Sequence, residues 1–292
     1  VIEAIFENLE AKHEIYRNIE PRMKTDSVLA TNTSSIPLED LATVLKQPER
    51  LVGIHFFNPV AMMPLVEIVK TSQSSDQIIE RAIAFTLHIG KLPLPVKSSP
   101  GFLVNRILMP YLVEAIFLYD EGTTPEAIDK AALDFGMPMG PVELADAVGL
   151  DICHSVAENL SSAFSIQVPD GLEKFVKANK LGKKTGSGFY QYKKGKALKN
   201  NDADMGDQKM IQNRLLFRLL NEAAACLDEK IVEEIDLLDA GIIFGTGFAP
   251  FRGGPLNYSL ERGVESLTDE MKALGEKYGE RFNPVDGWKL VK

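Results

Sequence analysis

The chain has 292 residues, of which 45% are hydrophobic and 25% charged, and its formal net charge is −9 at pH 7. This composition is typical of a soluble globular protein, and the length allows two domains. The negative charge disfavours nonspecific binding to nucleic acid or anionic membranes, and no apolar run is long enough for an integral membrane segment. Cys153 and Cys226 lie far apart in apolar surroundings, which favours reduced core residues over a disulfide or a metal site.

The first hundred residues alternate between helical and strand patterns, which predicts an α/β architecture. Apolar residues at helical spacing predict one helix within residues 4–20 and another within 75–90, the second ending at Gly90. Short runs rich in β-branched residues, and one run held extended by two prolines, predict strands. These runs lie at 27–35, 51–57, 64–70 and 91–97.

After the turn at residues 98–101 the pattern becomes mostly helical. A long helix is predicted within 101–122, with Pro110 as a possible kink. Residues 104–122 match residues 212–230 at an offset of 108, which predicts a duplicated helical unit. The glycine- and lysine-rich segment 181–196 is predicted to be a loop. We therefore expect an α/β domain at 1–99, a helical domain at 100–195 and its second copy at 196–292.

The stretch LVGIHFFNPVAMMPLVEIV, residues 51–69, places His55 and Glu67 in apolar strand patterns. The two residues are symmetric about Ala61, so a hairpin between the strands would set them directly opposite each other. A carboxylate in that position can fix the tautomer of the imidazole and leave its other nitrogen free as a general base. The alternative is a core histidine bonded to a backbone carbonyl, with Glu67 on a solvated face. A metal site is disfavoured because no third ligand lies at suitable spacing.

Two further polar residues are candidates for contact with a ligand. Ser34 lies in ATNTSS, directly after a predicted strand, where an open α/β sheet presents polar groups to a ligand. The alternative role for Ser34 or Ser35 is to cap the following helix. Asn105 lies just inside the predicted long helix, where an amide could reach a carbonyl or could serve only the helix start.

Several motifs occur together and in a fixed order: VIEAIFENLEAK, NTSSI, HFFNPVAMMPLVEIV, SPGFLVNR, GMPMGPVELADAVGLD and GKKTGSGFY. The set resembles the 3-hydroxyacyl-CoA dehydrogenase family across almost the whole chain. The duplicated helical part resembles the long form in multifunctional fatty-acid β-oxidation proteins, where an enoyl-CoA hydratase domain commonly precedes the dehydrogenase.

The resemblance implies a Rossmann-like NAD-binding domain and the oxidation of a (3S)-hydroxyacyl-CoA to a 3-ketoacyl-CoA with NAD. It implies that His55 is the general base, that Glu67 orients it, and that Ser34 and Asn105 hold the substrate. The positions that match the family's cofactor contacts are Glu7, Lys12, Ser34, Asn58 and Lys184. Lys12 and Lys184 would give an acidic protein local positive charge for a phosphate-bearing ligand.

No G-x-G-x-x-G turn precedes a helix, so the main dinucleotide-binding turn of the family is not in this sequence. The opening residues are typical of the middle of a domain, and we expect a fragment that by itself binds NAD poorly and has little activity. The resemblance allows a thiolase subunit as partner and a cytoplasmic location of bacterial type, with the mitochondrial matrix as an alternative. Two other functions stay open: a non-catalytic structural relative, and a dehydrogenase of small 3-hydroxy acids.

Overall fold

A computed structural model of the chain describes residues 1–164 and 168–292. Its α-helices are α1 (Leu9–Ile19), α2 (Leu38–Ala42), α3 (Asp76–His88), α4 (Val104–Asp120), α5 (Pro125–Phe135), α6 (Pro141–Val148), α7 (Leu150–Phe164), α8 (Asp170–Lys177), α9 (Gln208–Asp228), α10 (Ile235–Thr246), α11 (Pro255–Arg262) and α12 (Val264–Tyr278). Its β-strands are β1 (Ile2–Glu3), β2 (Leu29–Thr31), β3 (Leu51–Phe56), β4 (Leu65–Lys70), β5 (Leu92–Lys97), β6 (Gln191–Lys193) and β7 (Lys196–Leu198). Two compact units are present, which are Val1–Asn105 with Glu229–Gly245, and Arg106–Asp228 with Thr246–Lys292.

The first unit is built on a five-stranded sheet in the order β1-β2-β3-β4-β5. All neighbouring pairs are parallel except β3 and β4, which are antiparallel. One face of the sheet packs against α3, and the shared core consists of Ala30, Val52, Ile54, Val66, Ile68, Ile78 and Ala82. The four strands predicted from the sequence are confirmed, and the predicted helix within 75–90 is α3.

The helix predicted within residues 4–20 begins later than its apolar pattern indicates. Ile2 and Glu3 form the edge strand β1, and α1 starts only at Leu9. The side chain of Asn8 accepts a hydrogen bond from the backbone N–H of Ala11 at 3.0 Å, which caps the helix. The five residues between strand and helix form a loop beyond the carboxyl end of β1, where parallel strands present ligand-facing groups.

The second unit is mostly helical, and α4 and α9 contain the two stretches that match at an offset of 108. Arg106 on α4 binds Glu222 on α9, with 2.7 Å between Nε and Oε1. The equivalent arginine of the second stretch, Arg214, binds Glu114 on α4, also with 2.7 Å between Nε and Oε1. Each stretch therefore supplies the arginine that neutralises the glutamate of the other, as in a two-fold interface in which residue i contacts j and j contacts i.

The segment predicted as a loop at 181–196 contains regular structure, so that prediction is wrong in part. A 3-10 turn spans Lys183–Thr185, and β6 pairs with β7 as an antiparallel hairpin. The carboxylate of Asp146 accepts hydrogen bonds from the backbone N–H groups of Phe189 and Tyr190 at 3.0 and 2.9 Å. This buried acceptor fixes a segment whose composition alone suggests irregular structure.

The two units differ from the predicted division of the chain, because residues 229–245 belong to the first unit. Helix α10 packs there through glycines. A Cβ on Gly241 would lie 2.6 Å from Leu94 Cδ2, and a Cβ on Gly245 would lie 2.9 Å from Val104 Cγ2. Only glycine allows an approach this close, and the predicted boundaries at 99/100 and 195/196 stay predictions.

In the part of the chain that the structure describes, no helix combines the length and the low polarity needed to cross a lipid bilayer.

Candidate active site

The β3–β4 hairpin pairs His55 with Glu67 as directly opposed residues, which confirms the predicted register. His55 Nδ1 lies 2.7 Å from Glu67 Oε2. The two residues are 3% and 0% exposed, so this hydrogen bond is shielded from water. The alternative of a solvated Glu67 and a histidine bonded to a backbone carbonyl is wrong, because Glu67 is the partner of His55 and is fully buried.

The second carboxylate oxygen of Glu67 is held by the start of α4. The backbone N–H groups of Leu103 and Val104 donate to Glu67 Oε1 at 3.0 and 2.9 Å. Backbone donors at a helix N-terminus and the helix dipole both favour a negative charge. Glu67 is thereby oriented from both sides, with one oxygen on the helix and the other on the imidazole.

The other ring nitrogen of His55 faces the polar turn after β2. Ser34 Oγ lies 3.1 Å from His55 Nε2. Because an ionised Glu67 can only accept, the proton of a neutral imidazole lies on Nδ1, and Nε2 accepts the hydrogen bond that the Ser34 hydroxyl donates. The alternative that Ser34 or Ser35 caps the following helix is wrong, since Pro37 is the N-cap of α2 and no side chain caps it.

Two aromatic rings fix the plane of the imidazole. The rings of Phe57 and Phe102 meet His55 edge to face, with centroid distances of 4.7 and 5.5 Å. Phe102 is fully buried. These rings limit rotation of His55 and keep water away from its bond to Glu67, which strengthens the electrostatic interaction between them.

Glu7, a predicted cofactor contact, binds the turn that carries Ser34. Its Oε1 accepts from the Thr33 hydroxyl at 2.6 Å and from the backbone N–H groups of Ser34 and Ser35 at 2.9 and 3.0 Å. Partial burial acts to raise the pKa of Glu7, but the donors from Thr33 and Ser34 and the charge of Lys12 outweigh it, so the pKa is lowered. Glu7 is therefore an anion at neutral pH.

Lys12, the second predicted cofactor contact, is fully buried in the first unit. Its ammonium lies 2.8 Å from Glu3 Oε1 and 3.6 Å from Glu7 Oε2. Glu3 also accepts hydrogen bonds from the hydroxyls of Tyr16 and Thr31, at 2.9 and 3.0 Å. The expectation that Lys12 offers positive charge to a phosphate does not hold, because its ammonium is paired within the protein.

The remaining predicted site residues are less closely tied to His55. Asn58 is exposed in the turn after β3, and Asn105 is half-buried in the first turn of α4, two residues beyond the Leu103 amide that binds Glu67. Within the described part of the chain, neither side chain forms a hydrogen bond. Lys184 lies in the second unit, where its Nζ is 2.5 Å from Asp151 Oδ1. The roles of these three residues stay predictions.

Sequence reasoning missed two contacts of this site. It paired Glu67 with His55 but gave no sign that Leu103 and Val104 bind its other oxygen. It also assigned Glu7 to a ligand rather than to the turn at Ser34. Both contacts join segments at least 26 residues apart, beyond the reach of local patterns. The one available signal was chemical: a carboxylate between apolar strands needs more than one donor.

Comparisons with known proteins identify the family of the chain. The profile described as the 3-hydroxyacyl-CoA dehydrogenase NAD binding domain matches residues 1–99, and that of the C-terminal domain of the same family matches residues 101–192. A curated relative, the fatty acid oxidation complex subunit alpha of Vibrio cholerae, is 41% identical over 299 residues. That alignment covers 98% of this chain and 42% of the relative, so the chain spans less than half of that protein's length.

Two solved structures are also similar. The 3-hydroxybutyryl-CoA dehydrogenase of Escherichia coli superposes with a TM-score of 0.86 at 26% identity, covering 99% of this chain and 80% of that one. The (S)-3-hydroxybutyryl-CoA dehydrogenase PaaH1 of Ralstonia eutropha is 41% identical with a TM-score of 0.64, covering 66% of this chain and 70% of that one.

The sheet with its histidine–glutamate pair, followed by a helical region, defines a Rossmann-like NAD-dependent dehydrogenase architecture. The chain belongs to the 3-hydroxyacyl-CoA dehydrogenase family, as its motifs predict.

Proposed function

We propose that the chain is the dehydrogenase part of a fatty-acid β-oxidation protein and oxidises (3S)-hydroxyacyl-CoA to 3-ketoacyl-CoA. The observation that carries this proposal is the hydrogen-bonded line from Glu67 through His55 to Ser34. It supplies an oriented general base whose free nitrogen faces a hydroxyl at the ligand-facing end of the sheet. A purely structural role does not require a buried carboxylate and imidazole arranged in this way.

Each residue of the site has a separate role in the transfer of the substrate proton. His55 Nε2 accepts the proton of the C3 hydroxyl as the carbon–oxygen double bond forms. Glu67 stabilises the imidazolium through Nδ1, and the helix amides of Leu103 and Val104 hold its carboxylate in place. Ser34 can donate to the developing C3 carbonyl oxygen, and we assign Asn105 to the thioester side of the same substrate. Bound NAD would supply the acceptor for the hydride that leaves C3.

The residues present fit the nicotinamide part of NAD. The loops beyond β1, β2 and β3 bring a 72% exposed Phe6, the Ser34 hydroxyl and the exposed amide of Asn58 to the carboxyl ends of the strands. An aromatic face and small hydrogen-bonding groups suit a nicotinamide ring and its carboxamide. The residues fit the pyrophosphate part of NAD less well, because the sequence has no G-x-G-x-x-G turn and Lys12 is paired with Glu3.

The Ser34–His55–Glu67 line also has the connectivity of a nucleophilic triad, which would suit hydrolysis of a thioester. That reading is disfavoured by Glu7. The backbone N–H groups of Ser34 and Ser35 both donate to its carboxylate, so neither can stabilise an oxyanion at Ser34. The negative charge of Glu7 would itself oppose that oxyanion.

Properties of a longer protein are proposals drawn from the relatives. The name of the Vibrio cholerae relative describes a subunit of a complex. We infer an acyl-CoA substrate, a thiolase subunit as the partner, an adjoining enoyl-CoA hydratase domain and a cytoplasmic location of bacterial type. Co-purification of the longer protein with a thiolase would support the partner, and a monomeric protein without thiolase activity would contradict it.

The decisive experiment uses a chimera, in which this chain replaces the corresponding region of the Vibrio cholerae protein. We expect acetoacetyl-CoA reduction with NADH, and we expect His55→Gln to lower kcat by about 10²–10⁴-fold. His88→Gln, at the exposed end of α3, is the matched control and should leave the rate unchanged. An active chimera whose rate is insensitive to His55→Gln would exclude His55 as the base. Activity on small 3-hydroxy acids but not on acyl-CoA would favour the alternative substrate class.

A further inference from the structure

The turn that carries Ser34 is bound to a single carboxylate oxygen. Glu7 Oε1 accepts four hydrogen bonds: from the Thr33 hydroxyl, from the backbone N–H groups of Ser34 and Ser35, and from the Ser35 hydroxyl at 3.1 Å. A carboxylate oxygen offers about two lone-pair sites. This oxygen is saturated by the turn and has no capacity left for a ligand.

The position of Glu7 is fixed by two charged residues, Lys12 and Glu3. Its Oε2 lies 3.6 Å from the ammonium of Lys12, and that ammonium is bound to Glu3 at 2.8 Å. The side chains of Glu3 and Lys12 are 2% and 1% exposed, respectively. A buried pair of this kind has few alternative arrangements, so the carboxylate of Glu7 is presented to the turn from a rigid base.

The fixed turn determines where the Ser34 hydroxyl lies. Ser34 Oγ is 3.1 Å from His55 Nε2, the nitrogen assigned to accept the substrate proton. Without Glu7, the amides of Ser34 and Ser35 and the hydroxyl of Thr33 would lose their acceptor. Water can replace the carboxylate at the exposed amides, but it does not hold the three donors at one point, so the turn would lose its fixed position.

We propose that Glu7 is a positioning residue, which holds the Ser34 hydroxyl against His55 Nε2 and acts on the reaction through Ser34. The inference rests on the proposed function for its catalytic consequence, whereas the positioning itself is a property of this chain. A positioning residue and a cofactor contact predict different kinetic effects. Loss of a cofactor contact raises the KM for NAD, and loss of a positioning residue lowers kcat.

The chain itself allows a test that needs no activity. Long-range ¹H–¹⁵N spectra report whether His55 Nε2 accepts a hydrogen bond, and the other three histidines serve as internal references. We expect Glu7→Ala to shift the His55 Nε2 resonance. Glu7→Gln, which keeps an acceptor oxygen, should leave it close to the wild-type position. The control is Glu14→Ala, which removes an equal charge from an exposed site on α1.

The chimera then tests the consequence for the reaction. Glu7→Ala should lower kcat by at least about tenfold with little change in the KM for NAD, and Glu7→Gln should restore most of kcat. An unchanged His55 resonance in Glu7→Ala, or an effect confined to the KM for NAD, would overturn the proposal. A wild-type chimera without activity would refute the proposed function instead, and the spectra would still decide whether Glu7 positions Ser34.

Discussion

Replacing Glu67 by glutamine should invert the tautomer of His55. The carboxylate accepts on both oxygens, from His55 Nδ1 on one side and from the amides of Leu103 and Val104 on the other. Glutamine has a single acceptor oxygen and an NH₂ group that can only donate. The acceptor oxygen of the glutamine can therefore face either His55 or the amides of α4, but not both, although the shape of the side chain is almost unchanged.

The structure indicates which choice is favoured. If the oxygen faced His55, the NH₂ group would face two buried amides, and both would lose their acceptor at a cost of about 1–3 kcal/mol each. If the oxygen faces the amides of α4, the NH₂ group donates to Nδ1, and the imidazole proton moves to Nε2. The second arrangement avoids a cost of about 2–6 kcal/mol and should prevail. Nε2 would then donate and could no longer accept the substrate proton.

Two measurements check this prediction for Glu67→Gln. In the chimera, kcat should fall by about 10⁴-fold, which is the size of the effect when a carboxylate-to-amide change inverts the catalytic histidine of a serine protease. In the chain alone, ¹⁵N spectra should show the proton of His55 on Nε2, and the amides of Leu103 and Val104 should keep their protection from hydrogen exchange. A proton that stays on Nδ1, or hydrogen exchange of these two amides at the rate of an unstructured chain, would refute the reasoning.

Two further predictions concern stability. Burial raises the pKa of Asp129 to about 6, although hydrogen bonds from the Tyr190 hydroxyl and the Val142 amide act to lower it. The folded chain therefore holds this proton more tightly than the unfolded chain, and the free energy of unfolding should fall by up to about 3 kcal/mol as pH rises from about 4 to about 6. Asp129→Asn should remove this contribution, which urea unfolding across that pH range would show, and an identical pH dependence in both proteins would contradict it. Arg214 binds both the buried Glu114 and the 45% exposed Glu121. Glu114→Gln, which removes a buried carboxylate from both Arg214 and Arg281, should lower the free energy of unfolding by about 3–5 kcal/mol, but Glu121→Gln by less than about 1 kcal/mol, and equal losses would contradict this difference.

The sequence predicted the pairing of His55 and Glu67 because the information is local. Side chains along a strand alternate between the two faces of the sheet. The symmetric placement of His55 and Glu67 about Ala61 was therefore enough to predict the register of the hairpin. The position of Ser34 was predictable only as the end of a strand, since its contact with His55 depends on how β2 and β3 pair. That pairing is decided by tertiary packing.

Other features lay outside what local patterns encode. The fixed turn around Glu7 depends on donors 26 to 28 residues away. The place of α10 in the first unit depends on the close approach that Gly241 and Gly245 permit. A glycine in a helical pattern is compatible with a flexible or weak helix as well as with tight packing, so the sequence could not choose between them.

The crossed pairs Arg106–Glu222 and Arg214–Glu114 determine which substitutions the two matching stretches can accept. Because each arginine is bound to a glutamate of the other stretch, a substitution in one stretch removes an ion-pair partner from the other, 100 or more residues away along the chain. Exposed positions of α4 and α9 can therefore change independently, whereas a change at one of these four residues calls for a compensating change at its partner. A protein without α9 would lose the partners that this helix gives to Arg106 and Glu114, so α4 and α9 have to be kept or replaced together.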